Sequence, residues 1–295
     1  MIIAAVDMGT NSCRLLISRY NDGKPETILR QIRTNRLGVG MGISGMINEQ
    51  TMEKTAQCLI TYKQIMQDHK VDAFHVVATS AVREAKNQAE FISFLRKVCG
   101  MEPEVISGQR EAELSYAGAI NEWEGEKKPF LIDLGGGSTE IIWHTDKAGF
   151  ISLPLGAVRA TETDMSAADI ADLIASLGNI KEELSDYPLV MVGGTATTLV
   201  AVKLALEVYD PEKVHGKKLS RGEIGDIYNM LASMPLRLRR RMPGLQPERA
   251  DIIVKGVLII LLLMDYLNKN EITVSEKDIL DGIIKELYYR SLQKD

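Results

Sequence analysis

The feature that most constrains this chain is a pattern that occurs twice. An apolar, β-branched run from Ile2 to Val6 leads into Asp7-Met8-Gly9-Thr10-Asn11-Ser12, and Cys13 to Ser18 is apolar again. Phe130-Leu131-Ile132 leads likewise into Asp133-Leu134-Gly135-Gly136-Gly137-Ser138-Thr139, and Glu140 to Trp143 follows as a second apolar run. Apolar strand, Asp, Gly, hydroxyl and apolar strand recur at an offset of 126 residues, 133 minus 7. Each copy predicts a strand, a tight glycine turn and a second strand. The recurrence predicts a duplicated unit.

What lies between and beyond the copies alternates in type. Thr27 to Leu37 alternates apolar and polar, and a glycine-rich loop spans Gly38 to Gly45. Helices are expected up to about Lys70, from about Ala81 to Val98 and from about Gly108 to Asn121, with strands at Phe74 to Ala78 and Glu104 to Ile106. In the second half, helices are expected over Ser166 to Leu184, Ser220 to Met234 and Glu248 to Asn268, with a strand at Leu189 to Val192 running into Gly193-Gly194-Thr195 and a further helix. Ser275-Glu276-Lys277-Asp278 reads as a capping box for a last helix to Leu292. Strands mixed with helices in both halves mean an α/β protein of two similar lobes. The charged stretch Glu122 to Lys128 is the expected linker, which gives lobes 1–124 and 125–295, the last helix (about 276–292) packing back on the first lobe.

Charge and cysteine usage narrow the class. With 35 basic and 40 acidic residues the net charge is −5, so nothing global draws the chain to nucleic acid or an anionic membrane, and a polyanion would be held locally. One segment departs from this balance: Pro211 to Arg249 carries nine basic and four acidic residues, +5, leaving −10 for the remainder. Such a segment suits the tail of a polyanion, and also an ordinary solvated helix face. Cys13, Cys58 and Cys99 are too few and too scattered for a disulfide framework or a zinc site. The start of the chain has neither a basic n-region nor the apolar length of a signal peptide, and the longest apolar run, Gly256 to Met264, is too short to span a membrane. A cytoplasmic protein is expected.

The repeated turns carry the chemistry. Glycines let backbone N–H groups approach an anion, hydroxyls add donors, and the leading acid, Asp7 or Asp133, can hold a hydrated Mg²⁺ beside phosphate oxygens. A hairpin turn alone has no reason to repeat both its acid and its hydroxyls, so phosphate clamping by Gly9, Thr10, Asn11 and Ser12 and by Gly135, Gly136, Gly137, Ser138 and Thr139 is the better account. Neither turn is a P-loop, because no Gly-Lys-Ser/Thr follows. The formal GxGxxG at Gly40 to Gly45 follows a run too polar for a buried dinucleotide-fold strand. Arg83 lies just inside a helix start, a position suited to phosphate. Glu111 falls in the first turn of a helix, where the macrodipole favours an acid in any case. Glu140, beyond the second turn, suits a metal or water partner, or a cross-strand charge.

Paired Asp-Gly turns with a later strand ending in Gly-Gly-Thr resemble the actin-like (ribonuclease H-like) ATPase superfamily, which implies duplicated mixed-sheet domains around an interdomain cleft. Within it, Arg14, Arg36-Leu37-Gly38, Ala78 to Ala85, Ser107-Gly108-Gln109-Arg110-Glu111-Ala112, Asp133 to Glu140, Leu153 to Arg159 and Gly244 to Asp251 follow in order the pattern of the exopolyphosphatase / guanosine pentaphosphate phosphohydrolase family, over essentially the whole chain. The resemblance implies a phosphohydrolase that removes a terminal phosphate from inorganic polyphosphate or from guanosine pentaphosphate. Glu111 would be its catalytic base, and Asp133, Glu140 and Asp7 would hold Mg²⁺, with Mn²⁺ the alternative. Guanosine tetraphosphate is a further implied ligand and a homodimer the implied assembly. Two departures stand out. Arg110 occupies a position where the family commonly carries a second acid, and the helical C-terminal region of long members is absent. Other readings are a noncatalytic polyphosphate or alarmone sensor and a small-metabolite kinase on the same fold.

Overall fold

The computed structural model describes residues 1–21, 23–121, 123–144 and 148–293. Glu122, the first residue of the expected linker, lies outside them. The chain divides into two compact units, one formed by Met1–Gly118 with Ile279–Asp295, the other by Ala119–Asp278.

The first unit is built on a five-stranded sheet. Its strands are β1 (Ile2–Met8), β2 (Cys13–Asn21), β3 (Lys24–Arg33), β4 (Ala73–Ala78) and β5 (Glu104–Val105), in the order β3-β2-β1-β4-β5. β1 is antiparallel to β2 and parallel to β4, which is parallel to β5. Alternate residues of β1 serve two cores, which is why the strand reads as a nearly continuous apolar run. Ala4, Val6 and Met8 pack with Leu59, Tyr62 and Phe91 on one face. Ile3 and Ala5 pack with Leu16, Leu114, Ile279 and Ile283 on the other. The last helix, Ile279–Leu292, covers this second face, and Gly282 lets it approach: a Cβ there would stand 2.0 Å from Leu114 O. The polar strand before the GxGxxG run is β3, an exposed edge strand, as a buried dinucleotide-fold strand would not be.

The second unit repeats the plan. Its strands are β6 (Phe130–Leu134), β7 (Thr139–His144), β8 (Ala148–Leu153), β9 (Leu189–Val192), β10 (Lys218–Ser220) and β11 (Glu271–Val274), in the order β10-β11-β9-β6-β7-β8. β6 is antiparallel to β7 and parallel to β9, and β9 is parallel to β11. Thus β6, β7, β8, β9 and β11 hold the places of β1 to β5. The helix Ile253–Tyr266, apolar but for Lys255 and Asp265 near its ends, packs into this unit's core, which explains the longest apolar run without a membrane. Among the described residues no helix is long and apolar enough to cross one.

Several expected helices are shorter or divided. The one expected over Ala81 to Val98 is two, Ser80–Glu84 and Gln88–Cys99. Ala85 is extended between them, and buried Asn87 uses its side chain on the backbone of Ile47, accepting from its N–H (3.0 Å) and donating to its carbonyl (2.9 Å). The helix expected over Ser166 to Leu184 divides into Ala167–Ala175 and Ile180–Leu184 around Gly178, whose φ is 61°. The helix expected from Glu248 begins as a 3₁₀ turn, Pro247–Arg249, and continues from Ile253.

Candidate functional site

In each unit the parallel strands end at one edge of the sheet, the place where open α/β sheets bind ligands. In the first unit β1, β4 and β5 run into the Gly9–Ser12 turn, Thr79-Ser80 and Ser107 respectively. In the second, β6 and β9 run into the Gly135–Thr139 turn and Gly193-Gly194-Thr195.

The two turns have the same internal geometry. Gly9 N–H donates to Ser12 O at 3.0 Å, and 126 residues later Gly135 N–H donates to Ser138 O at 3.0 Å. A Cβ on either glycine would come within 3.1 Å of that same carbonyl oxygen. Neither glycine has a positive φ, nor does Gly136 or Gly137, so it is close approach and not left-handed backbone that calls for glycine here.

Both turns spend their carbonyls inward. Thr10 O and Asn11 O accept from the N–H groups of Gly38 (2.8 Å) and Arg36 (2.9 Å), which gives the Arg36-Leu37-Gly38 motif its role, with Arg36 held at φ 56°. Gly135 O accepts from Ala157 N–H, and Gly136 O from the N–H groups of Val158 and Arg159, so the turn satisfies the start of the helix Ala157–Glu162. Arg159 Nε donates to Gly137 O at 2.6 Å. Gly156 is needed for this approach, because a Cβ there would lie 2.4 Å from Gly136 C and O. With carbonyls committed, the N–H groups of Thr10, Asn11 and Ser12 and of Gly136, Gly137 and Ser138 meet no protein acceptor among the described residues. Asn11 is buried, and its side-chain Nδ2 likewise has no partner. Donors in this number, most of them on buried residues, are able to receive an anion.

The acids at the two turns differ in company. Asp7 and Arg14 are directly opposite across β1 and β2, and Asp7 Oδ2 accepts from Arg14 Nε (2.9 Å) and Nη2 (2.7 Å). Asp133 is opposite Glu140 across β6 and β7, at the equivalent register. Glu140 is 1% exposed and accepts from Ser152 Oγ at 2.8 Å. Among the described residues no three His, Cys, Asp or Glu side chains gather in a metal-binding group.

Arg83 and Glu111, expected in separate roles, touch each other. Arg83 Nη1 donates to Glu111 Oε2 at 2.9 Å and to Ile106 O at 3.0 Å. Both side chains are largely buried. Ser107 caps the helix Gly108–Ala119 by accepting from Arg110 N–H, which puts Glu111 at the helix's first turn. Arg110, the departure from the family pattern, is ion-paired with Glu286 on the last helix and so ties the two helices together. Thr139, expected to give its hydroxyl to phosphate, donates it instead to Leu155 O and is fully buried.

Two further residues join the second unit's edge. Gly193 (φ 95°) lies where a Cβ would be 2.5 Å from Leu134 O and 3.4 Å from Asp133 Oδ1. Arg249 stacks its guanidinium over Gly194, where a Cβ would be 1.7 Å from Nη1. The Gly193-Gly194-Thr195 run and the collinear motif around Arg249 were the available signals, but spacing along the chain does not say what a guanidinium touches.

The sequence pattern of the "Ppx/GppA phosphatase family" matches residues 16–290. The chain is 32% identical over 313 residues to "Exopolyphosphatase 2" of Mycobacterium tuberculosis, covering 97% of this chain and 98% of that protein. It is 32% identical over 307 residues to the "Bifunctional 3-dehydroquinate synthase/phosphatase" of Fusobacterium nucleatum, covering 96% of this chain but only 46% of that longer protein. Among solved structures, the Aquifex aeolicus member of the Ppx/GppA protein family superposes with a TM-score of 0.80 at 30% identity, over 99% of this chain and 98% of that one. An exopolyphosphatase from Cytophaga hutchinsonii superposes with a TM-score of 0.87 at 26% identity, over 100% of this chain and 98% of that one. The actin-like fold of duplicated mixed sheets is therefore shared with these proteins.

Proposed function

The chain belongs to the Ppx/GppA phosphatase family, and from that premise we propose that it releases the terminal orthophosphate of inorganic polyphosphate, or of guanosine pentaphosphate, by attack of water. The observation that carries this reading is the repeated turn with its carbonyls committed and its N–H groups unspent. Gly9, Thr10, Asn11 and Ser12 form one phosphate cradle and Gly135, Gly136, Gly137 and Ser138 the other. Thr139 serves the second cradle by fixing its backbone to Leu155.

Glu111 directs the attacking water and takes its proton on the carboxylate. As the water oxygen bonds to the terminal phosphorus, the bridging P–O bond breaks and its electron pair leaves with the shortened chain. Arg83 fixes Glu111 through Oε2. In a loose phosphoryl transition state, positioning counts for more than basicity, so a carboxylate held by a guanidinium suits the task. The other donors of Arg83 remain for phosphate oxygens.

Asp133 and Glu140 fit Mg²⁺. Two acids stand directly opposite each other where the first copy has Asp7 and Arg14, and Mg²⁺ is typically held by one or two carboxylates, keeping waters and substrate phosphates as its other ligands. Bound there, the ion would neutralise charge on the transferring phosphoryl group. Arg14 already supplies the countercharge of Asp7, so we assign the metal role to Asp133 and Glu140 and a turn-fixing role to Asp7.

The test is release of orthophosphate from polyphosphate and from guanosine pentaphosphate, with and without Mg²⁺. Release from neither, at protein concentrations that saturate binding, refutes the reading.

A further inference from the structure

Arg110 stands one residue before Glu111, where the family commonly carries an acid, and its surroundings give the arginine a use. Neighbouring residues point about 100° apart around a helix axis. Glu111 meets Arg83 at 2.9 Å, while Arg110 reaches the last helix, where it is ion-paired with Glu286. Arg110 also lies 3.7 Å from Glu113 one turn on, and Glu286 is paired with Arg290 along its own helix. All of these residues belong to the first unit.

The contact between the helix Gly108–Ala119 and the last helix, Ile279–Leu292, repeats at one-turn spacing. At Gly282 a Cβ would stand 2.0 Å from Leu114 O. Four residues later along one helix and four earlier along the other, Glu286 meets Arg110. The two helices thus run antiparallel here in one register, with residues i and i+4 of each on the shared face. Beside the ion pair a crevice of about 10 Å³ remains, with Ile106, Leu114, Ile283 and Leu287 in its wall. That is room for no more than one water.

Register matters because the first turn of Gly108–Ala119 carries Glu111. Ser107 Oγ accepts from Arg110 N–H, Ser107 O accepts from Glu111 N–H, and Ile106 O shares Arg83 Nη1 with Glu111 Oε2. A slide or fray of this turn would carry the Glu111 carboxylate off its partner. Packing at Leu114 holds the helix one turn further in, and the ion pair extends that hold to the first turn itself.

We propose that Arg110 and Glu286 are positioning residues for the reaction: their ion pair fixes the first turn of Gly108–Ala119 against the last helix and so holds Glu111 where it meets the attacking water. This rests on the reading of Glu111 as the base. It gives the departure from the family pattern a function, since an acid at position 110 would repel Glu286.

The experiment places Glu286→Gln, Arg110→Gln and Arg110→Lys in two backgrounds, wild type and Glu111→Gln, and measures orthophosphate release from polyphosphate. Arg30→Gln is the control, because it removes another ion pair of the last helix, with Asp281 at 2.8 Å, at the edge strand β3. In the wild-type background both Gln variants should lower kcat about tenfold, the cost of displacing a reacting group by a fraction of an ångström. KM should stay within about twofold, and Arg110→Lys, which keeps the charge, within about threefold of the wild-type rate. In the Glu111→Gln background the same changes should cost less than about twofold, because a base that is gone cannot be misplaced. Amide hydrogen exchange without substrate is the second readout: residues 108–111 should exchange about tenfold faster in both Gln variants and at the wild-type rate in Arg30→Gln. Equal losses in the two backgrounds, a raised KM at unchanged kcat, unaltered exchange, or an equal loss in Arg30→Gln would each overturn the proposal. If wild type hydrolyses nothing, the hydrolase reading fails, and the exchange comparison still decides whether the pair holds the turn.

Discussion

Gly156→Ala tests whether the second cradle depends on the close approach of the helix Ala157–Glu162. The new Cβ would lie 2.4 Å from Gly136 C and O and 2.5 Å from Gly137 N, whereas real Cβ contacts stay beyond 3.0 Å. The backbone must therefore open by about 0.6 Å, 3.0 minus 2.4, and no rotamer relieves it because the opposing atoms are main chain. Overpacking of this kind costs about 1–3 kcal/mol, which in a unit this size lowers its melting transition by roughly 2–10 °C. The moved atoms are the donors of the cradle. Since a misplacement of about 1 Å costs roughly 10²-fold in rate, kcat/KM should fall about tenfold. Gly178→Ala is the matched control: it lies in the same unit at φ 61° with nothing within 4 Å of a new Cβ, so it strains the backbone and touches no site. Melting curves and orthophosphate release, measured on both variants, separate the effects. If Gly156→Ala melts lower but keeps its activity within twofold, or if Gly178→Ala loses as much activity, the packing argument is wrong.

Glu111→Gln should slow phosphate release by about 10²–10⁴-fold, with substrate affinity by equilibrium binding changed only a few-fold; a rate above about a tenth of wild type would exclude a general base. Arg83→Lys loses the planar fork that contacts Ile106 O and Glu111 together, so kcat should drop about tenfold at a nearly unchanged melting temperature. Asp133→Asn should raise the Mg²⁺ concentration for half-maximal rate at least several-fold, whereas Asp7→Asn should leave it unchanged and instead destabilise the first unit by about 1.5–3 kcal/mol, the range for a hydrogen bond to a charged group. Gly282→Ala should lower the melting temperature of the first unit by several degrees, because Leu114 O cannot retreat from a Cβ 2.0 Å away.

The strand–turn–strand repeats were legible because every ingredient is local. An apolar run, an acid, glycines and hydroxyls within a dozen residues determine a tight turn, and the two copies share the hydrogen bond from Gly9 to Ser12 and from Gly135 to Ser138. What escaped the sequence depends on partners far along the chain. Asn87 ends a helix because Ile47 needs both its donor and its acceptor, 40 residues away. Arg83 finds Glu111 across 28 residues, and Thr139 loses its hydroxyl to Leu155. β10 and β11 have three and four residues, too few for periodicity to separate from loop. The basic segment misled by its uniform composition: Arg239 and Arg240 are adjacent, yet one is a half-buried clamp on Met234 and Ala250 and the other faces solvent.

The duplication also explains why one copy would recruit a metal and the other would not. Both copies place two charged side chains opposite each other at the same register, beside a turn that offers N–H groups to an anion. In the first, the pair is Asp7 and Arg14, which cancel at 2.7 Å. A phosphate arriving there meets donors and no net opposing charge. In the second, the pair is Asp133 and Glu140, two acids, so an arriving phosphate meets the same donors and two like charges. Two carboxylates at one register beside a phosphate cradle would suit a divalent ion shared between them and phosphate oxygens. On the proposed reading, one difference in register, arginine in place of glutamate, would separate a cradle that binds phosphate unaided from one that binds it together with Mg²⁺. The prediction that Asp133→Asn shifts the metal requirement and Asp7→Asn does not is a direct measure of that difference.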